Sequence, residues 1–166
     1  MRIILIFFLM IPIISFGQQT DCIKFTKTTT DKFTDERTVT QSKDCIISNK
    51  AGQKVNLQFS YIKGMLVLTW VNVNEGAICV DNDDILYFLF DDGSKSQVYY
   101  PGSLNCDTYF HFFFNKDTFA DTYKLLLIKK IASIRLFSSK ALLEFDLPKQ
   151  SSEYLNKVIS CLTQHN

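Results

Sequence analysis

Lys54-Val55-Asn56-Leu57-Gln58-Phe59-Ser60-Tyr61 is the stretch that decides the fold class of this 166-residue chain. Val55, Leu57, Phe59 and Tyr61 fall at every second position, with Lys54, Asn56, Gln58 and Ser60 between them. Successive side chains of a strand point to opposite faces, so the alternation predicts a strand with one face in a core and the other toward water. Lys63-Gly64 comes next, and glycine supplies the positive φ that a tight hairpin needs. Met65 to Val73 then carries apolar residues at both parities, as a central or doubly covered strand does. A turn this short makes the two strands antiparallel, because parallel neighbours need a long crossover.

Working outward, the Thr-rich stretch Thr26 to Ser42 reads as two short strands around the turn Asp31 to Arg37. Downstream, Ile85 to Phe90 is stopped by Asp91-Asp92-Gly93, a hairpin signal, and Gln97 to Tyr100 returns. Pro101-Gly102 turns the chain again before Tyr109 to Phe114, the most aromatic strand. Lys116 to Lys130 reads as a short helix on the spacing of Phe119, Tyr123, Leu126 and Leu127. Ile131 to Phe137 and Ala141 to Leu147 form a hairpin across Ser138-Ser139-Lys140, ended by Pro148. Ser151 or Ser152 is positioned to cap a last helix that runs to Thr163. Tyr154, Leu155, Val158, Cys161 and Leu162 make its apolar stripe. The expected class is α+β: an antiparallel meander of about eight strands, curved or sandwich-like, with the C-terminal helix packed on the sheet.

The start of the chain has a different character. Met1-Arg2 precedes an apolar run from Ile3 to Phe16, and Ser15 and Gly17 are small residues three and one before Gln18. A spanning helix needs about 18 apolar residues, more than this Pro12-interrupted run supplies, so residues 1–17 read as a cleaved export signal. Residues 18–166 then read as one globular β-rich domain, periplasmic or secreted, with no transmembrane segment after cleavage. Loss of Arg2 leaves 17 basic and 17 acidic residues, and no basic cluster meets phosphates, so nucleic acid is not an expected partner. With Gly 6 and Pro 3, collagenous and low-complexity classes are excluded.

Export places Cys22, Cys45, Cys79, Cys106 and Cys161 where disulfides persist. Five thiols close at most two bridges. The preferred one is Cys79–Cys106, which closes a loop around a hairpin; a second joins Cys22 or Cys45 to Cys161, unless Cys161 is a small core residue. No Cys-x-x-Cys spacing suggests thiol exchange or zinc. Cys22 lies five residues into the expected mature chain, which argues against a lipid-modified first residue.

Sequence signs of catalysis are sparse. His165 sits at a chain end expected to fray, and His111 lies mid-strand among phenylalanines without a recognisable partner. Asp81-Asn82-Asp83-Asp84 resembles the start of a calcium loop, but the sixth and twelfth positions hold Leu86 and Asp92 instead of Gly and Glu. A solvated turn is the expectation there, with neither metal nor cofactor. The aromatic strand and its neighbours supply the candidate ligand contacts Trp70, Tyr109, His111 and Phe113. Phe112 and Phe113 point to opposite faces, so the strand is covered twice or exposes an aromatic surface.

The turn Asp31-x-Phe33-Thr34, Cys79 before Asp83, Phe88-x-Phe90-x-Asp92-Gly93, Asn105-Cys106, Ile131-x-x-Ile134-Arg135 and the final Cys161-Leu162 together resemble small exported proteins of Bacteroidetes. That resemblance implies an exported compartment and no assigned activity. Where those proteins read Phe-Thr-Gly, this chain has Asp35 after Thr34. The expected function is a non-enzymatic exported domain that binds a protein or envelope partner through a sheet face or edge. The alternatives are a carrier of a small apolar ligand in an aromatic-lined pocket, and a hydrolase pairing His111 with carboxylates of Asp81 to Asp84.

Overall fold

The computed structural model describes residues 22–73, 78–138 and 141–164. The expected export signal at residues 1–17, His165 and the expected turn residues Ser139 and Lys140 lie outside these residues. In chain order the elements are β1 (Thr26–Thr30), β2 (Arg37–Gln41), β3 (Ile46–Ser48), β4 (Lys54–Ile62), β5 (Met65–Asn72), β6 (Ile85–Phe90), β7 (Lys95–Tyr99), β8 (Tyr109–Phe114), α1 (Ala120–Ile128), β9 (Ile131–Phe137), β10 (Leu142–Asp146) and α2 (Lys149–Thr163). One sheet runs β1-β2-β4-β5-β8, with β3 also paired to β4; the other runs β10-β9-β6-β7. Every pairing is antiparallel. The class is therefore α+β, as the alternation in β4 implied.

The β4–β5 hairpin forms as read, with Ile62 opposite Met65. Lys63 (φ 50°) and Gly64 (φ 80°) are both left-handed, the combination that matches the twist of the flanking strands. Asp35 in the β1–β2 turn has φ 56°, a left-handed conformation that aspartate, with its short polar side chain, tolerates. The Asp31 carboxylate accepts from the Phe33 and Thr34 amides at 2.8 and 2.9 Å and holds that turn. Both bonds favour the ionised form and lower the Asp31 pKa.

Hairpins do not form one unbroken meander. After β5 the chain changes sheets to make β6–β7, returns to add β8 beside β5, and changes again for β9–β10. Between the sheets lies a core whose largest fully buried side chains include Trp70, Phe59, Phe88, Phe110, Phe112, Phe114 and Phe145. α2 packs against strands of both sheets, β4 and β9 among them, and buries Leu155, Val158, Ile159, Cys161 and Leu162. Neither Ser151 nor Ser152 caps it: the helix starts at Lys149 after Pro148, with no side-chain cap. The Ser152 hydroxyl is instead buried and donates to the Ile131 carbonyl at 2.6 Å, tying the helix to β9. Cys79–Cys106 and Cys22–Cys161 are disulfides, and Cys45 is free and buried.

Candidate functional site

Sheet parity separates the four aromatic candidates. Phe110, Phe112 and Phe114 of β8 turn inward and are buried, so Tyr109, His111 and Phe113 lie on the outer face of the first sheet. Opposite them in register stand Val71, Thr69 and Val67 of β5. The rings run along the strand, Tyr109 to His111 at 5.6 Å and His111 to Phe113 at 6.3 Å between centroids. Trp70 has the other parity. It is fully buried, stacked on Phe110 at 5.8 Å and edge-on to Phe145 at 5.5 Å, with its Nε1 donating to Asn72 Oδ1 at 2.9 Å. Trp70 is thus a core residue, and the four side chains do not line one pocket.

His111 is half-buried, with Nδ1 2.9 Å from the Thr69 hydroxyl, and burial lowers its pKa. The Asp81 to Asp84 carboxylates, the partners that a hydrolase reading assigns to it, are engaged in their own turn. Asp84 is buried, its carboxylate accepts from the Asp81 amide at 3.0 Å, and its amide donates to the Asp81 carbonyl at 2.9 Å. Among the described residues no group of three or more His, Cys, Asp or Glu side chains is arranged to hold a metal ion. Nor is any described helix long and apolar enough to cross a membrane.

Sequence reasoning did not find the second sheet's outer face. Leu142 of β10 lies opposite Phe137 of β9, Phe137 opposite Ile85 of β6, and Ile85 opposite Tyr99 of β7. Side chains directly across a sheet share a face, so these four form one apolar row over all four strands. The row is open to solvent: Leu142, Phe137 and Tyr99 are 61%, 52% and 47% exposed. Beside it runs a polar row in which Arg135 Nε donates to Glu144 Oε2 at 2.8 Å, next to Tyr87 and Gln97. Each residue is unremarkable in the linear sequence; only the register across three strand pairs assembles the row.

Of the depressions among the described residues, two bear on Cys45 and on β10. One, of about 430 Å³, lies between the β2–β3 connection and α2, with Phe25, Cys45, Ser151 and Tyr154 in its lining. Tyr154 Oη donates to the Lys43 carbonyl at 2.9 Å across its mouth. Cys45 at its base is only 4% exposed, and burial pushes the thiol pKa up to about 11. Cys45 is expected to resist a disulfide reagent at pH 8 until the domain unfolds, since the thiolate is the nucleophile. The sign of the linked stability effect follows. Below about pH 8.5 the thiol is protonated folded or unfolded; between there and about 11 the unfolded chain ionises first, so stability falls as pH rises. Urea midpoints of wild type and Cys45→Ala over that range check this: the extra loss belongs to the wild type alone. The other depression, of about 630 Å³, separates β10 from the β3–β4 turn.

No family model, curated protein or solved structure matches the chain.

Proposed function

We propose that this chain is an exported, non-enzymatic binding domain whose partner is a protein of the envelope or the extracellular space. The observation that carries the reading is the exposed row Leu142, Phe137, Ile85 and Tyr99, an apolar strip crossing a whole sheet with a polar row at its border. Apolar centres with polar rims are how protein interfaces are built. Two disulfides fit a non-cytoplasmic compartment, and the apolar run before Gln18 and the resemblance to exported proteins of Bacteroidetes support export. The placement of Trp70 inside and of Tyr109, His111 and Phe113 outside favours a flat contact surface over an enclosed pocket for a small ligand.

The test is site-specific photo-cross-linking in cells that export the protein. A photoreactive phenylalanine analogue at Phe137 is expected to form a defined protein adduct, whereas the same group at Ser60, on the first sheet's outer face, is not. Adducts confined to lipid at Phe137, or no adduct there, would overturn the reading.

A further inference from the structure

We infer that the outer face of the β10-β9-β6-β7 sheet packs on the same face of a second copy of this chain, about a two-fold axis that lies along the strands between β9 and β6. This rests on the protein-partner reading above and names the partner. β3 runs beside β10 and α1 beside β7, so both edges of the sheet have neighbours and its face is what it offers. The strand registers lay that face out as three rows. Leu142, Phe137, Ile85 and Tyr99 form the first, and Glu144, Arg135, Tyr87 and Gln97 the second. Asp146, Ser133, Leu89 and Lys95 form the third.

A two-fold axis along the strands sets each row over its own copy and exchanges the row's ends. In the first row Phe137 meets Ile85 and Leu142 meets Tyr99, each contact made twice, so the apolar strip covers itself. In the second, Arg135 lies over the Tyr87 ring and Glu144 meets the Gln97 side-chain amide, a cation on an aromatic face and an acceptor on a donor. In the third, Asp146 meets Lys95 at two corners of the contact. Both side chains are exposed, and among the described residues neither pairs with another charge. Leu89 meets Ser133, and there the face is concave. A hollow of about 180 Å³ has Ser133, Leu89, Arg135 and Glu144 in its lining. The Ser133 hydroxyl donates to the Phe145 carbonyl at 3.1 Å, so a leucine seated over it deprives no polar group of its partner.

Charge selects this axis over the alternative. An axis across the strands sets Glu144 on Glu144 and Arg135 on Arg135, whereas the axis along them sets every charge on a complement. Packed sheets keep their strands within about 30° of each other, and the four-carbon stem of Lys95 spans the offset this makes at the corners. Four strands about 4.8 Å apart and three rows about 7 Å apart make a face about 20 Å on a side. Two such faces bury about 800 Å² before side-chain relief is counted, the size of a weak, exchanging contact, so a dissociation constant of tens of micromolar is about what the face supports.

Sedimentation of the exported, disulfide-bonded protein is expected to show a reversible monomer–dimer equilibrium between about 1 and 500 μM. Lys95→Asp and Asp146→Lys each set like charges at both corners and are expected to weaken the dimer about tenfold or more. Mixed in equal amounts, the two variants are expected to regain it. One corner then pairs the native Asp146 and Lys95, and the other pairs the two reversed side chains, which a fold defect in either variant would not allow. Monomer throughout the range, single reversals that dimerise as the wild type does, or a mixture no stronger than its components overturns the inference. The photo-cross-link at Phe137 separates the two readings. An adduct of twice the chain mass supports both. An adduct with a different polypeptide keeps the partner reading and removes the second copy, and no protein adduct removes both.

Discussion

Replacing Trp70 with alanine is expected to cost about 3–5 kcal/mol, the range for emptying a large aromatic site from a packed core. Trp70 belongs to the first sheet and touches Phe145 of the second, so its ring joins the two layers as well as filling volume. Its Nε1 also satisfies Asn72 Oδ1 inside the core. Trp70→Phe keeps most of the ring contacts and leaves that buried oxygen without its donor, which predicts a smaller loss of about 1–3 kcal/mol. The chain has one tryptophan, so urea unfolding should be followed by circular dichroism. A Trp70→Ala midpoint equal to wild type would show that the sheets do not meet through this ring.

Removing the Cys22–Cys161 bridge is the second large effect. That bridge spans 139 residues, against 27 for Cys79–Cys106. A cross-link restricts the unfolded chain more when the loop is longer, and the loop-entropy relation gives about 5 kcal/mol for the first and about 3.5 kcal/mol for the second. The structure adds a reason for the order: Cys161 lies on α2, whose apolar stripe is packed against both sheets, while Cys22 precedes β1 at one sheet's edge. Thermal unfolding of Cys22→Ala/Cys161→Ala and Cys79→Ala/Cys106→Ala under oxidising conditions should rank the first pair as the less stable. The reverse ranking would mean that the denatured state is already compact near the chain ends.

The contrast between these residues and the apolar row shows which physics is legible in one dimension. The β4–β5 hairpin was readable because alternation and a Lys-Gly turn are local, and the α2 stripe because helical spacing is local. Three-residue β3 is too short to show a period. The pairing of β8 with β5 instead of β7 depends on contacts across the core, and sequence neighbours do not encode them. Trp70 was misplaced because β5 is apolar at both parities, which hides the side that faces inward. In β8 the odd and even faces were separable, but their assignment to core and surface needed the second sheet. Ser152 resembled a cap because its type and position fit one, yet a buried carbonyl on β9 was the stronger claim on its hydroxyl. The outward row on β10, β9, β6 and β7 needs three registers at once, so no single stretch of the chain announces it.

Native mass spectrometry of the domain purified from exporting cells, never reduced, tests the central claim most directly. The prediction is a chain lighter than the fully reduced form by the four hydrogens of two disulfides. It should be held in a complex with a second polypeptide that is lost in Phe137→Lys. A lone domain carrying a lipid-sized adduct that survives the Phe137→Lys substitution would contradict it.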